Sequence, residues 1–169
     1  MKKMPHPLRS TERDEGKRAL ASALRMLTRR DLSVAVMTDR LKRKGISEAL
    51  VNETVARLEE LGYLDDRRFA RRWAESAIRN GRGYGLRLRM DLMRQGVPAE
   101  IVAELLASMA VEYDEKETLA ALLLRKFSGF DLASVSDREK RRMMQYLQRR
   151  GFSTSAIFHA FRNLEDYQE

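Results

Sequence analysis

A chain of 169 residues can bury a substantial core, and an apolar content of 43% is that of a globular protein rather than a disordered one. Cysteine is absent, which excludes a disulfide framework, a thiolate metal site and a cysteine nucleophile, and which fits a cytoplasmic location. The net charge of +8, from 33 basic and 25 acidic residues, points to a negatively charged partner.

The chain begins with a polar, proline-containing segment, Met1 to Gly16, expected to be a mobile arm. It lacks the apolar run of a secretory signal, and the longest wholly apolar run in the chain, Leu119 to Leu124, is far too short to cross a bilayer. No membrane partner is therefore expected.

Beyond the arm the sequence repeats. Gly45, Gly96 and Gly151, 51 and 55 residues apart, mark one point of a unit that recurs three times. Four residues earlier stand Leu41, Leu92 and Leu147, and eight earlier Met37, Leu88 and Met143. One residue later stand Ile46, Val97 and Phe152, and six later Val51, Val102 and Ile157. Ten later come Val55, Leu106 and Phe161, and thirteen later Leu58, Met109 and Leu164. All are apolar, at helical spacing on either side of a glycine suited to stop a helix. The pattern predicts an all-α fold of three tandem three-helix repeats, at 17–65, 66–114 and 115–169, forming an elongated body, straight or curved.

The first helices are expected at Lys17–Arg29, Arg67–Arg79 and Lys116–Phe127. Their core stripes are Leu20, Leu24 and Leu27, then Phe69, Trp73 and Ala77, then Leu119, Leu123 and Phe127. Each second helix ends just before its marker glycine. Each third helix follows at once, with Ser47 and Ser153 placed to cap it and Pro98 suited to its first turn.

Positive charge is spread over the repeats, +3, +2 and +2, with +1 on the arm. Within each repeat it gathers on the second helix. Arg43, Arg94 and Arg149 stand two residues before the glycine in every copy, about 200° around the helix from the core leucine. Arg87 and Arg142 continue that face in the second and third copies, where the first has Val36, with Arg40 near the stripe. Lys42, Lys44, Arg82, Arg89 and Arg150 extend it. The third helices are poor in cations and carry Glu48, Glu53, Glu59 and Glu60 in the first copy and Glu100 and Glu104 in the second. A helix-turn-helix reader of duplex DNA would place base-contacting groups on the helix after the turn, so phosphate contacts, or contacts to an acidic protein surface, fit better than sequence reading.

Catalytic and cofactor chemistry finds little support. Asp65 and Asp66 suit helix capping better than a metal site. The Gly81-x-Gly83-x-Gly85 loop lacks the lysine and hydroxyl of a nucleotide loop, which leaves it as a hinge whose N–H groups and Arg82 reach a phosphate. Tyr84 is the candidate for base stacking. His6 and His159 are isolated. No cofactor and no enzymatic activity are expected.

Three stretches carry a resemblance: Gly62-Tyr63-Leu64-Asp65-Asp66-Arg67-Arg68-Phe69-Ala70; the segment from Arg82 to Val97, a glycine loop leading into a basic helix; and Tyr146-Leu147-Gln148-Arg149-Arg150-Gly151-Phe152-Ser153. Together they resemble the motifs of the RecX family over about Lys17 to Leu164. The one visible departure is Val36-Met37, where the family often has an acidic residue followed by leucine. The resemblance implies a monomeric, non-enzymatic regulator that binds the RecA filament on single-stranded DNA along its groove. It implies inhibition of ATP hydrolysis, coprotease activity and strand exchange in DNA repair, recombination and the SOS response. The alternatives are a duplex DNA-binding transcription regulator and a purely protein-binding helical scaffold.

Overall fold

The computed structural model describes the backbone of residues 7–127 and 136–166, and side chains over 13–127 and 136–162. Among the described residues there are nine α-helices and no strand: α1 Pro7–Leu27, α2 Val34–Arg43, α3 Glu48–Glu60, α4 Asp66–Arg79, α5 Gly85–Arg94, α6 Ala99–Glu112, α7 Glu115–Lys126, α8 Asp137–Arg149 and α9 Thr154–Asp166. The chain is all-α, with the three-helix unit present three times.

α1 differs from expectation at its start. It begins at Pro7, so residues 7–16 are helical rather than part of an arm. Proline is well suited to the first position of a helix, and the polar residues after it carry no apolar stripe, so periodicity is blind to this part of the helix. His6 lies outside the described residues, as does the Ser128 to Asp131 connection.

The marker glycines do as their register requires. Gly45, Gly96 and Gly151 have φ of 78°, 73° and 92°, the left-handed region that costs other residues a Cβ clash. At Gly45 the N–H bonds back to Lys42 O at 2.9 Å and the next N–H, of Ile46, reaches Leu41 O at 3.4 Å. The same pair recurs at Gly151, with Gln148 O at 2.9 Å and Phe152 N to Leu147 O at 3.3 Å. This pairing closes the orphan carbonyls of the helix and brings the residue after glycine onto the leucine four before it.

Of the recurring apolar positions, Ile46 and Leu106 are half-buried, the side chain of Leu164 lies outside the described residues, and the rest are buried. They form separate cores. The first holds Ala23, Leu32, Met37, Leu41, Val51, Val55, Leu58 and Leu64. The second holds Ala74, Ala77, Ile78, Leu88 and Met109. The third gathers α7, α8 and α9 around Leu119, Leu147, Phe152 and Ile157. Trp73 departs from expectation: it is 37% exposed, and the buried face of α4 runs instead through Phe69, Ala70, Ala74, Ala77 and Ile78. Position 73 shares the side of the helix that carries Phe69 and Ala77, yet its large ring stands partly in solvent while the small side chains beside it are buried.

Two compact units result: Met1–Phe69 with Gln95–Pro98, and Ala70–Arg94 with Ala99–Glu169. Each contains one instance of a joint that the sequence does not announce. In the first, Ser33 Oγ donates to Gln95 O at 2.5 Å and the Cα of Gly96 faces Ala35 so closely that a Cβ there would collide with the Ala35 methyl. In the second, Tyr84 N donates to Arg150 O at 2.8 Å, and a Cβ on Gly151 would strike Tyr84 O and the backbone N of Arg87. Ser33 and Tyr84 each lie twelve residues before their own repeat's glycine, and each bonds the carbonyl just before the next repeat's glycine. The start of one second helix thus seats on the glycine turn of the repeat that follows. At Gly45, in the first repeat, nothing lies within 4 Å of the Cβ it lacks.

Candidate polyanion-binding surface

Arg43, Arg94 and Arg149 are the last residues of α2, α5 and α8, and all three are exposed. A cation there meets the negative end of the helix dipole, a favourable contact of roughly 0.3–1 kcal/mol at a surface. Two are also tethered: Arg43 Nε to Asp39 at 3.0 Å and Arg94 Nη1 to Asp91 at 3.4 Å. Such exposed pairs hold a guanidinium lightly, so both remain available to a stronger anion. Arg142, Arg89 and Lys44 are exposed as well. Lys42 is clipped to Glu48 at 2.7 Å, and this ammonium holds the Glu48 carboxyl below its usual range.

Other members of the expected stripe belong to the joint in the second unit. Arg87 is half-buried, with Nε on Asp91 at 3.0 Å. The Arg150 guanidinium lies 4.9 Å from the Tyr146 ring centre and donates to Arg82 O at 3.1 Å. Arg82 is exposed, its guanidinium donating to Ser76 Oγ at 2.8 Å. The glycine loop is correspondingly occupied. Tyr84 stacks on Phe152 with ring centres 5.4 Å apart and planes 6° apart, and its hydroxyl donates to Tyr113 O at 2.7 Å. Burial, then the Glu115 and Asp114 charges, push the phenol above its usual range and keep it a donor. Tyr84 is therefore packed rather than free to stack a base. The N–H groups of Gly81, Arg82 and Tyr84 bond Ile78 O, Ala77 O and Arg150 O, so these three do not form a phosphate cradle.

Arg40 leads to a feature that the sequence stripe missed. With Lys44 it lines a surface hollow completed by Ser22, Arg25, Met26, Arg29 and Arg30 from the end of α1 and the turn after it. The available signal in the sequence is Arg25, Arg29 and Arg30 gathered at the C-terminal end of the first helical pattern, away from its apolar stripe of Leu20, Leu24 and Leu27. A second unforeseen feature lies on α5, where Leu86, Met90 and Met93 are 66%, 49% and 45% exposed. Their spacing makes one apolar stripe beside Arg89, opposite the buried Leu88 and Leu92.

Asp65 and Asp66 serve as caps. Asp65 accepts from Arg68 N at 3.0 Å at the start of α4, and the buried Asp66 accepts from Val34 N at 2.9 Å at the start of α2. Among the described residues no group of three or more acidic or histidine side chains is placed to hold a metal, and no helix is long and apolar enough to cross a membrane.

The family models for the first, second and third three-helix domains of RecX match residues 19–58, 65–106 and 113–161. The chain belongs to the RecX family. It is 36% identical to the regulatory protein RecX of Syntrophotalea carbinolica over 143 residues, 85% of this chain and 94% of that one. It is 37% identical to the regulatory protein RecX of a strain of Thermus thermophilus over 155 residues, 91% and 97% of the two chains. The crystal structure of RecX from Lactobacillus salivarius superposes with a TM-score of 0.71 at 20% identity, covering 90% of this chain and 97% of that one, which establishes a shared fold. These relatives are named as regulators, and the three matched RecX domains coincide with the three cores described above.

In this RecX chain Asp66 is a capping carboxylate with a pH signature. Burial, its largest influence, raises the carboxyl above the ordinary aspartate value of about 3.9. The folded chain then holds that proton more tightly than the unfolded one, so stability from this group falls as pH rises through the raised value. Asp66→Asn keeps an acceptor for Val34 N–H and is expected to match or exceed the parent at pH 7, with a flatter stability profile as pH rises above the ordinary aspartate value of about 3.9. Asp66→Ala strands that N–H and is expected to lose about 1–2 kcal/mol. Urea unfolding over that rise in pH checks both, and equal losses in the two variants would contradict the capping role.

Proposed function

We propose that this chain regulates a RecA recombinase by binding the RecA–single-stranded DNA filament along its groove, and that it inhibits ATP hydrolysis, coprotease activity and strand exchange without catalysing a reaction itself. One observation carries the proposal: an exposed arginine closes the second helix of every repeat, at one register, in a chain whose relatives are regulators. A repeated cation suits a repeated, extended anion, and three repeats on one chain turn individually weak contacts into strong overall binding. The exposed Leu86, Met90 and Met93 stripe supports a protein surface as part of the target, because phosphates alone give apolar side chains nothing to bury against. The acidic third helices favour phosphate contact over base reading, so preference for a particular duplex sequence is not expected.

The test is RecA ATPase on single-stranded DNA with this protein at substoichiometric ratios. The parent chain is expected to suppress turnover. Arg94→Glu/Arg149→Glu is expected to abolish suppression while circular dichroism stays helical, since both side chains are exposed and outside the cores. Full inhibition by that variant would remove these arginines from the interface.

A further inference from the structure

The hollow in the first unit is unusual in its charge. Arg25, Arg29 and Arg30 approach from the end of α1, Arg40 and Lys44 from the end of α2, and no carboxylate is among the lining residues. Elsewhere on the second helices Arg43, Arg87, Arg94 and Lys42 each form an ion pair with a neighbouring carboxylate, whereas the five cations here line the hollow with no carboxylate among the lining residues. A structural explanation exists, because α1 and α2 both end here and helix C-termini attract cations. Its size decides against it. Two C-termini supply roughly one negative charge in total, which leaves an excess of about four positive charges around one depression. The carbonyls of those ends are also occupied by backbone donors: Leu24 O by Thr28 N at 3.0 Å, Met26 O by Arg29 N at 3.3 Å and Lys42 O by Gly45 N at 2.9 Å. Like charges held this close repel one another, and an arriving anion removes that repulsion.

We infer that this hollow is a binding site for the phosphodiester backbone of single-stranded nucleic acid, with Arg25, Arg29 and Arg40 as the principal phosphate contacts. Arginine is the residue type suited to it, since a planar guanidinium grips two phosphate oxygens at once. Arg25 stands in the last turn of α1 and Arg29 in the turn that follows it, so they present successive cations to a strand rather than one point charge to a small ion. Met26 lies among them and gives the strand an apolar contact beside the charges. The inference rests on the proposed function for its biological setting but on different residues: none of Arg25, Arg29 or Arg30 lies on a second helix.

The test uses the full chain and a fluorescently labelled oligothymidylate, with binding followed by anisotropy across a salt series. Each phosphate contact on a single strand contributes about 0.7 to the slope of log affinity against log salt, so Arg25→Gln/Arg29→Gln is expected to reduce the slope by about 1.4 and to weaken binding several-fold at moderate salt. Arg40→Gln, on the other wall, is expected to remove a further ~0.7. Circular dichroism and melting temperature confirm that each variant is folded; if the double variant fails to fold, Arg40→Gln alone carries the measurement. Unchanged slope and affinity in folded variants would overturn the inference, as would equal competition by polyglutamate of matched charge. The two proposals fail separately. A parent chain that binds the oligonucleotide through the hollow yet leaves RecA ATPase untouched defeats the regulatory reading alone. Neutralised hollow variants that bind oligonucleotide like the parent defeat the hollow alone, whatever happens to RecA.

Discussion

Gly151→Ala is expected to destabilise this protein by about 3–5 kcal/mol, whereas Gly45→Ala, at the same register of another repeat, is expected to lose only about 1–2. Both glycines have positive φ, 92° and 78°, so alanine meets the same conformational penalty at either. Their surroundings differ. A methyl group at Gly151 overlaps Tyr84 O and comes within 2.8 Å of both the backbone N and the Cβ of Arg87, and backbone atoms give way only if the joint opens. Nothing lies within 4 Å of the corresponding point at Gly45. Thermal melts should show a fall on the order of 10 °C for Gly151→Ala and a few degrees for Gly45→Ala. Equal falls would mean that the joint contributes nothing and that the glycine serves only to end its helix.

Tyr84 provides the second large effect. Tyr84→Ala removes a ring that stacks on Phe152 and packs against both the second and third cores, and is expected to cost about 2–4 kcal/mol. Tyr84→Phe keeps the ring and loses only the 2.7 Å bond to Tyr113 O, for an expected cost of about 1 kcal/mol. A tyrosine whose work was stacking a nucleic-acid base would give the opposite pattern: unchanged denaturant midpoints and weakened binding of single-stranded oligonucleotide by the alanine variant. Measuring both properties on both variants separates the roles.

These two residues also show where sequence reasoning stops. Tyr84 sits in a loop rich in glycine, and composition there implies mobility; only the packing of Phe152, far along the chain, turns the loop into a fixed seat. Trp73 shows the reverse, an aromatic at core spacing that stands 37% exposed while Ala70, Ala74 and Ala77 around it are buried. The hollow was missed for a related reason: cations from α1 and α2 are separated by a turn in sequence and are brought to one place by the packing of two helix ends.

What the amino-acid pattern alone determined was the repeat. A glycine able to take positive φ, leucine four residues before it and an apolar residue directly after it form a local device, complete within a dozen residues, and local devices are legible without coordinates. The helix-ending arginines belong to the same register and were legible for the same reason. What only the tertiary structure decided was how the glycine turns are used again, as seats for the helix start of the preceding repeat, and which cations converge without acids between them. Those relations join residues tens of positions apart, and their energies come from steric fit and charge proximity, neither of which has a period along the chain.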